Sequence, residues 1–207
     1  MAARVPPGQI VTTGFPVLHA GAIPIDTDPT RWRVAVHGAV QRPRTFEFEE
    51  LLQLPQLEQT VDIHCVTSWT KLGTTWTGVP FREIAEKVAP LPEAQFVAME
   101  CAQGFTTSLP LKALMEGDVI LAHSFGGKPL PAEHGGPLRM LVPRRYFYKS
   151  AKWLQGLKFL AQDEPGFWEV RGYSNVADPW LETRYTVDDV RQIHRMRKES
   201  LFRPVAR

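Results

Sequence analysis

The adjacent residues His64 and Cys65 stand where a predicted strand gives way to a loop, a common place for functional groups. The strand is predicted over 59–66 (QTVDIHCV) and the polar loop over 67–78. A thiolate at such a junction can act as a nucleophile or as a soft metal ligand. A buried cysteine that packs as a small hydrophobe is the alternative. Successive strand residues point to opposite faces, so His64 is poorly placed to act as a base for Cys65.

A second group of side chains, in residues 134–153, has the composition of an anion-binding pocket. Strand alternation places Arg139 on the face opposite Leu138 and Met140. The cations that follow are Arg144, Arg145, Lys149 and Lys152. The small residues whose backbone amides would approach an anion are Gly135, Gly136 and Ser150. Arginine offers phosphate a bidentate fork and lysine a point charge, so the segment predicts a pocket for a phosphorylated ligand. A solvated basic surface is the alternative.

Aromatic side chains form a third group. Residues 146–148 (YFY) interleave with the cations, a pattern that also occurs in proteins that bind single-stranded nucleic acid. The formal net charge of only +2 argues against that alternative. The remaining members of the group are Trp69, Trp76, Trp168, Tyr173 and Trp180. In loops, such side chains either cover a core or line the mouth of a pocket.

The elements that must position these groups are short strands and helices without a regular βαβ alternation. Strands are predicted at 32–38, 59–66, 94–101, 118–125, 137–143 and 152–161, and helices at 81–88 and 108–117, the latter with Ser108 as its N-cap. No glycine-rich nucleotide-binding motif is present. A chain of 207 residues, 43% of them hydrophobic, suits one large domain, and the pattern predicts a mixed α+β fold.

We divide the chain into an extended arm over 1–30, a main domain over 31–186, and a C-terminal helix and tail over 187–207. Two cysteines without a CxxC pair suit a reducing compartment. The first residues show no continuous apolar stretch and no twin arginine. No segment approaches the ~20 apolar residues that a membrane span needs. These features predict a cytoplasmic protein.

Two motifs, in the right order, resemble the signatures of the molybdopterin-dependent oxidoreductases of the sulfite oxidase superfamily. The first, HCVTSWTKLGTTWTGVPF at 64–81, is similar to the segment that presents the sole protein ligand to molybdenum. The second, within 118–159, is similar to that family's run of Gly-x-Pro-Leu-Pro, His/Asn-Gly-x-Pro-x-Arg and Lys-Ser-x-Lys-Trp. The resemblance implies the mixed-sheet sulfite oxidase fold in a single domain, an oxidoreductase activity and a molybdenum–molybdopterin cofactor.

The resemblance also assigns roles position by position. Cys65 matches the thiolate that binds molybdenum, His134 matches a pterin contact, and Arg139 matches the arginine on the cofactor phosphate. The turn that closes over that phosphate corresponds to Ser150, Ala151 and Lys152. Further cofactor contacts are expected from Leu18, His19 and Cys101. Such a cofactor carries the metal and its electron chemistry, so one protein thiolate is enough.

The sequence departs from true sulfite oxidases in ways that bear on the substrate. CVTSWT replaces their arginine-containing CAGNRR, and His123 stands where their active-site tyrosine is expected. The pattern is closer to the bacterial branch that reduces protein methionine sulfoxide. Substrate-side roles are expected for His64, Trp69, Lys71 and His123. We expect His123 to titrate near neutrality and to deliver a proton.

The predicted function is two-electron oxo transfer on a small or protein-borne S- or N-oxide. Three alternatives stay open: sulfite oxidation, a cofactor-binding protein without turnover, and a thiol enzyme that uses Cys65 and Cys101. The reductase branch is exported and takes electrons from a membrane haem subunit, whereas no export signal is recognised here. An unidentified redox partner is therefore expected, without nucleic acid and without a membrane span.

Overall fold

The structure of the protein is a computed structural model that describes residues 4–191. Within this part, the strands form a six-stranded and a five-stranded sheet. The six-stranded sheet contains β1 (Ile10–Val11), β4 (Leu57–His64), β5 (Trp69–Pro80), β8 (Ile120–Phe125), β9 (Lys128–Pro129) and β10 (Arg139–Leu141). The five-stranded sheet contains β2 (Arg33–Gly38), β3 (Arg44–Glu47), β6 (Phe96–Cys101), β7 (Thr106–Pro110) and β11 (Leu154–Leu160). The α-helices before residue 186 are α1 (Phe48–Leu52), α2 (Phe81–Val88) and α3 (Leu111–Leu114).

Both sheets mix parallel and antiparallel pairs. The long strand β5 pairs with β1, β4 and β8, and β8 in turn pairs with β9 and β10. The other sheet has the order β3-β2-β11-β6-β7. The β1–β5 and β2–β11 pairs are parallel and the others are antiparallel. This architecture confirms the predicted mixed-sheet α+β class.

The six-stranded sheet is covered on both faces. Along β8, Leu121 belongs to the main core between the two sheets, where it joins Val97 and Phe159. Its neighbours Ile120 and Ala122 point the other way, into a second core with Trp76 and Phe147. This division follows from the alternation of side chains along a strand. The second core supports the candidate site described below.

Helix α2 and strand β2 illustrate how the periodicity of the sequence is realised. The predicted helix over 81–88 coincides with α2, which buries Phe81, Ile84 and Val88 on one face. It ends at Ala89, which has a left-handed backbone with φ 51°. The strand predicted over 32–38 is β2, with Val34 and Val36 buried.

Two sequence-based assignments were wrong. The predicted loop over 67–78 is mostly strand β5, because this segment pairs with β4 on one side and β8 on the other; the turn is confined to 65–68. The predicted helix over 108–117 is strand β7 followed by the short helix α3. Ser108 does not cap a helix: it pairs with Ala98 of β6, and its hydroxyl donates to Asp163 over 2.5 Å.

Both ends of the described chain carry little regular structure of their own. Residues 4–30 contain β1 and the start of a short 3-10 helix (Pro29–Arg31). A helix occupies 186–191, and the rest of the predicted C-terminal segment, 192–207, lies outside the described residues. The division into arm, domain and tail stays a prediction. Among the residues from 4 to 191, no helix has the length and apolar character needed to cross a bilayer.

Candidate active site

A cavity of about 320 Å³ lies over the second core, where five separate parts of the chain meet. This volume falls in the range of small-molecule sites. The N-terminal segment contributes Phe15, Pro16, Leu18, His19 and Ala20, and the turn after β4 contributes Cys65, Val66, Thr67 and Trp69. The third segment contributes His134, Arg139, Phe147, Tyr148, Ser150, Ala151, Lys152 and Trp153. The wall is completed by Phe105, Trp168 and Tyr173.

Cys65 begins the tight turn between β4 and β5. Its amide donates to the Trp69 carbonyl over 2.8 Å, and its carbonyl accepts from the Ser68 amide over 3.0 Å. The Thr67 hydroxyl donates to the Cys65 Sγ over 3.1 Å. Burial raises the pKa of the Cys65 thiol, and the bond from Thr67 opposes that shift. A metal cation at this sulfur would stabilise the thiolate that burial disfavours.

Arg139 is the buried cation of the cavity, with 1% of its surface exposed. Its guanidinium donates to the carbonyl oxygens of His134 (2.7 Å), Ser150 (2.5 Å) and Met140 (3.2 Å). Burial lowers the pKa of Arg139 to about 9, which still leaves it charged at neutral pH. No carboxylate of the described residues forms an ion pair with it. A buried charge without a counterion is costly, so an anion bound in the cavity would supply the missing partner.

Lys152 stands beside Arg139 on the same wall. Its ammonium donates to the Glu133 carbonyl over 2.6 Å. Burial, together with the nearby Arg139 guanidinium, lowers the pKa of Lys152 to about 7. The stem of Lys152 packs against Gly135, where a Cβ would lie 2.9 Å from the lysine Cβ. The cavity wall therefore holds two neighbouring cations.

The predicted role of the glycine amides was wrong. The Gly135 amide donates to the Ala132 carbonyl, and the Gly136 amide donates to the Pro131 carbonyl, so neither is free for an anion. Gly135 instead has a φ of 101° and gives the Lys152 stem room to approach. Ser150 uses its hydroxyl to accept from the Val142 amide over 2.9 Å.

Two ring nitrogens on the cavity wall have no hydrogen-bond partner among residues 4–191. These are Nδ1 of His134 and Nε1 of Trp69, both buried. The His134 ring stacks on Phe15, with 3.9 Å between ring centroids. Burial lowers the pKa of His134, which favours its neutral form. A polar ligand in the cavity would satisfy both nitrogens, since buried polar atoms are normally paired.

The N-terminal segment forms one side of the cavity. The His19 Nδ1 donates to the Gly21 carbonyl over 2.8 Å, and the His19 ring lies 5.6 Å from that of Trp153. Phe15 packs against Trp69 and Phe147 as well as against His134. Sequence reasoning missed Phe15, since nothing in its local pattern marks a residue that contacts partners so distant in the chain.

Three other predicted anion-binding cations point elsewhere. Arg144 bonds to Asp118 over 2.9 Å, and Arg145 lies 3.8 Å from Asp178. Lys149 is fully buried and is paired with Glu169. The prediction that these cations face one pocket was wrong, because each has an acidic partner that is distant in sequence.

Four of the predicted site residues do not line the cavity. His64 hydrogen-bonds to the Thr70 hydroxyl over 2.9 Å, and the Lys71 ammonium donates to the Thr13 carbonyl over 2.7 Å. The remaining two are His123, which contacts Gln56 and Ser124, and Cys101, which is buried at the end of β6. Burial lowers the pKa of His123 and raises that of Cys101. The proposed site therefore includes neither His64, Lys71 and His123 as substrate-side residues nor Cys101 as a cofactor contact.

The fit to a phosphorylated, metal-carrying ligand rests on three observations. The cavity contains a cation without a counterion, two unpartnered ring nitrogens and one thiol. In the part of the chain from 4 to 191, no group of three or more metal-ligating side chains occurs. A single thiol therefore suits a metal that is held mainly by its own organic ligand.

The comparisons with known proteins agree with this arrangement. The sequence model of the family described as the oxidoreductase molybdopterin binding domain matches residues 20–168. The chain belongs to this family and is a molybdopterin-dependent oxidoreductase with a molybdenum–molybdopterin cofactor. The resemblance inferred from the two sequence motifs is thereby confirmed.

Among similar proteins, oxidoreductase YuiH of Bacillus subtilis (strain 168) is 46% identical over 89% of this chain and 93% of its own length. The protein-methionine-sulfoxide reductase catalytic subunit MsrP of Ralstonia nicotianae is 27% identical over 78% of this chain. The chain spans only 54% of that subunit. The sulfane dehydrogenase SoxCD of Paracoccus pantotrophus has a similar fold, with a TM-score of 0.62 and 25% identity over 67% of this chain and 40% of its own.

Proposed function

We propose that this enzyme performs two-electron oxo transfer on an uncharged S- or N-oxide, with Cys65 as the protein ligand to molybdenum. The observation that carries the proposal is the buried, unpaired guanidinium of Arg139 in the same cavity as the Cys65 thiol. The guanidinium supplies a positive charge for the cofactor phosphate, and the thiolate supplies a soft metal ligand.

The cofactor contacts are assigned to the residues that line the cavity around these two groups. Arg139 and Lys152 would hold the phosphate, with Ser150 and Ala151 forming the turn beside it. His134, stacked on Phe15, and the segment of Leu18 and His19 would contact the pterin. When bound, the cofactor supplies a metal that exchanges an oxygen atom and two electrons with the substrate.

The substrate class follows from the charges that remain. Once Arg139 and Lys152 neutralise the phosphate, the cavity wall contains no other arginine or lysine. Sulfite is an anion and would find no further lysine or arginine among the described lining residues; the charged group that acts on the Cys65 thiol, Arg184, is hydrogen-bonded to the Val66 carbonyl. An uncharged S- or N-oxide has no net charge to desolvate. The relatives named as protein-methionine-sulfoxide reductases also support this class.

An unidentified redox partner is proposed as the source of electrons. A cofactor-binding protein without turnover is the second candidate, and the absence of substrate-binding cations from the described wall favours it over sulfite oxidation.

Cytoplasmic location stays a prediction, supported by two cysteines that are both unpaired. A thiol enzyme of Cys65 and Cys101 is disfavoured because Cys101 does not line the cavity.

Replacement of the thiol tests the proposal. We expect Cys65→Ser to lower the reduction of dimethyl sulfoxide and trimethylamine N-oxide by viologen-reduced enzyme by at least about 100-fold, while pterin stays bound. Cys101→Ser is the matched control, because it removes a buried thiol that lies outside the cavity, and it should keep wild-type turnover. Full activity of Cys65→Ser would contradict the ligand role. Loaded wild-type enzyme that oxidises sulfite but reduces neither oxide would contradict the substrate class.

A further inference from the structure

Three aromatic rings on the cavity wall have no assigned role toward the cofactor. Tyr148, Trp168 and Tyr173, here called the aromatic box, all line the cavity. The Tyr173 ring lies 5.1 Å from that of Trp168 and 5.8 Å from that of Tyr148, and both contacts are edge-on. In an edge-on contact the edge of one ring covers a face of the other, but all three side chains are only half-buried, so part of each ring stays accessible to a small ligand in the cavity.

The aromatic box is joined to the turn that presents Cys65. The Ser174 amide, next to Tyr173, donates to the Arg184 carbonyl over 3.0 Å. The Arg184 guanidinium in turn donates to the Val66 carbonyl, one residue after Cys65. The box and the thiol therefore belong to one connected wall, and a ligand beside the rings would lie in the cavity that contains the thiol.

Buried polar contacts hold the box in place. The Tyr148 hydroxyl donates to the Ser174 carbonyl over 2.5 Å, so it points away from any ligand. Lys149 and Glu169, the neighbours of Tyr148 and Trp168 in sequence, form a buried ion pair. The Lys149 ammonium also donates to the Asn175 side chain over 2.9 Å. The rings are thus fixed before a ligand arrives, which lowers the entropic cost of binding.

The chemistry of the box points to an uncharged, alkylated ligand. Among the described residues it offers aromatic rings and no acidic or basic side chain. Behind it, Lys149 pairs with Glu169, and the Asp189 carboxylate accepts from the Ser174 hydroxyl and the Asn175 amide. We propose that Tyr148, Trp168 and Tyr173 bind the alkyl substituents of the S- or N-oxide. This assignment rests on the proposed function and names the part of the substrate that the site selects.

A nonreactive analogue tests the assignment directly. In the cofactor-loaded enzyme, saturation of aromatic protein protons should transfer to the methyl protons of dimethyl sulfone, observed by NMR. Trp168→Leu and Tyr173→Leu should each reduce this transfer by about threefold or more, since a lost aromatic contact weakens binding on that scale. Tyr173→Phe keeps the ring and should retain the transfer. Trp180→Leu is the matched control, because Trp180 is an exposed tryptophan outside the cavity.

Kinetics of the same variants separate this inference from the proposed function. The leucine variants should raise KM for dimethyl sulfoxide several-fold with little change in kcat, because their rings bind substrate without reacting. Unchanged transfer and unchanged KM in folded, cofactor-loaded Trp168→Leu and Tyr173→Leu would overturn the aromatic box. If Trp168→Leu loses cofactor, Tyr173→Leu decides the test, with Tyr173→Phe as its control. Sulfone binding at the box in an enzyme that reduces no oxide would instead refute the proposed function alone.

Discussion

Arg139 is a cation that the fold holds in the cavity wall without an acidic partner. Its three hydrogen bonds end on backbone carbonyls, which orient the guanidinium but do not neutralise it. The guanidinium also lies over the Phe147 ring, with 4.2 Å between its central carbon and the ring centroid. This contact further limits its movement. A ligand phosphate would pair with a charge that is already desolvated and oriented, which is where charge-assisted bonds are strongest.

The neighbouring Lys152 makes anion binding depend on pH. Its lowered pKa, about 7, means that the side chain is charged below that pH and neutral above it. We therefore expect sulfate, doubly charged throughout, to raise the Tm of the cofactor-free protein more at about pH 6 than at about pH 8. Thermal unfolding with chloride at equal ionic strength as the reference measures this difference.

Two variants serve as controls for the sulfate experiment. Lys152→Gln should keep a smaller sulfate effect that no longer changes between the two pH values, since only the titrating charge is removed. Arg139→Gln should lose most of the effect and leave the general stabilisation that sulfate gives to any folded protein. Equal sulfate effects in wild type and Arg139→Gln at both pH values would contradict an anion site at these residues.

At the residue scale, the sequence predicted that arginines and lysines bind the anion. It could not identify which of these side chains face the cavity. Arg139 and Lys152 could be predicted through the motif they belong to. Arg145 and Lys149 have the same chemistry in the same segment, yet they are paired with Asp178 and with Glu169. Those partners lie far along the chain, so only the tertiary structure separates cations that face the cavity from cations that are already neutralised.

The Lys149–Glu169 pair connects two elements that the sequence shows as unrelated: the 3-10 helix Phe147–Lys149 and the 3-10 helix Glu169–Arg171. Thr107 of β7 also donates to Glu169. Since both side chains are buried, removal of one charge leaves the other without a partner. We expect Lys149→Met to lower the free energy of unfolding by about 3–5 kcal/mol, as measured by urea denaturation.

The double variant Lys149→Met/Glu169→Leu distinguishes the ion pair from general packing. It removes both charges at once, so it should recover most of the stability that Lys149→Met loses. A double variant as unstable as the sum of its two single variants would contradict the pairing account. Arg171→Met, at an exposed neighbouring cation, is a control that should change the free energy of unfolding by less than about 1 kcal/mol.

At the element scale, the predictions succeeded where periodicity was strong and failed where pairing overrides local composition. Helix α2 and strand β2 follow directly from their apolar patterns. Strand β5 contains threonines, lysine and two glycines, which locally resemble a loop; pairing with β4 and β8 makes it a strand. The segment at 108–110 was mistaken for a helix start because its strand partner, β6, is not visible in local sequence.

At the scale of the whole molecule, the cavity is assembled from distant parts of the chain. The family match covers 20–168, yet Phe15, Leu18 and His19 precede it and Tyr173 follows it. The common domain thus provides the thiol and the anion-binding cations, while the flanking segments close two sides of the cavity. The fold class and the cofactor could be predicted from motifs. The walls that these flanking segments build could not, since they depend on contacts with distant residues of the domain, such as Phe15 with His134 and Tyr173 with Tyr148.

Metal and pterin analysis of the purified protein tests the central claim most directly. The protein is expressed with molybdate in a host that makes the cofactor. Molybdenum is then quantified together with the fluorescence of the oxidised pterin released on denaturation. We expect about one molybdenum and one pterin per chain. Folded protein that contains neither, from a host shown to load a known molybdopterin enzyme, would contradict the claim that this cavity holds the cofactor.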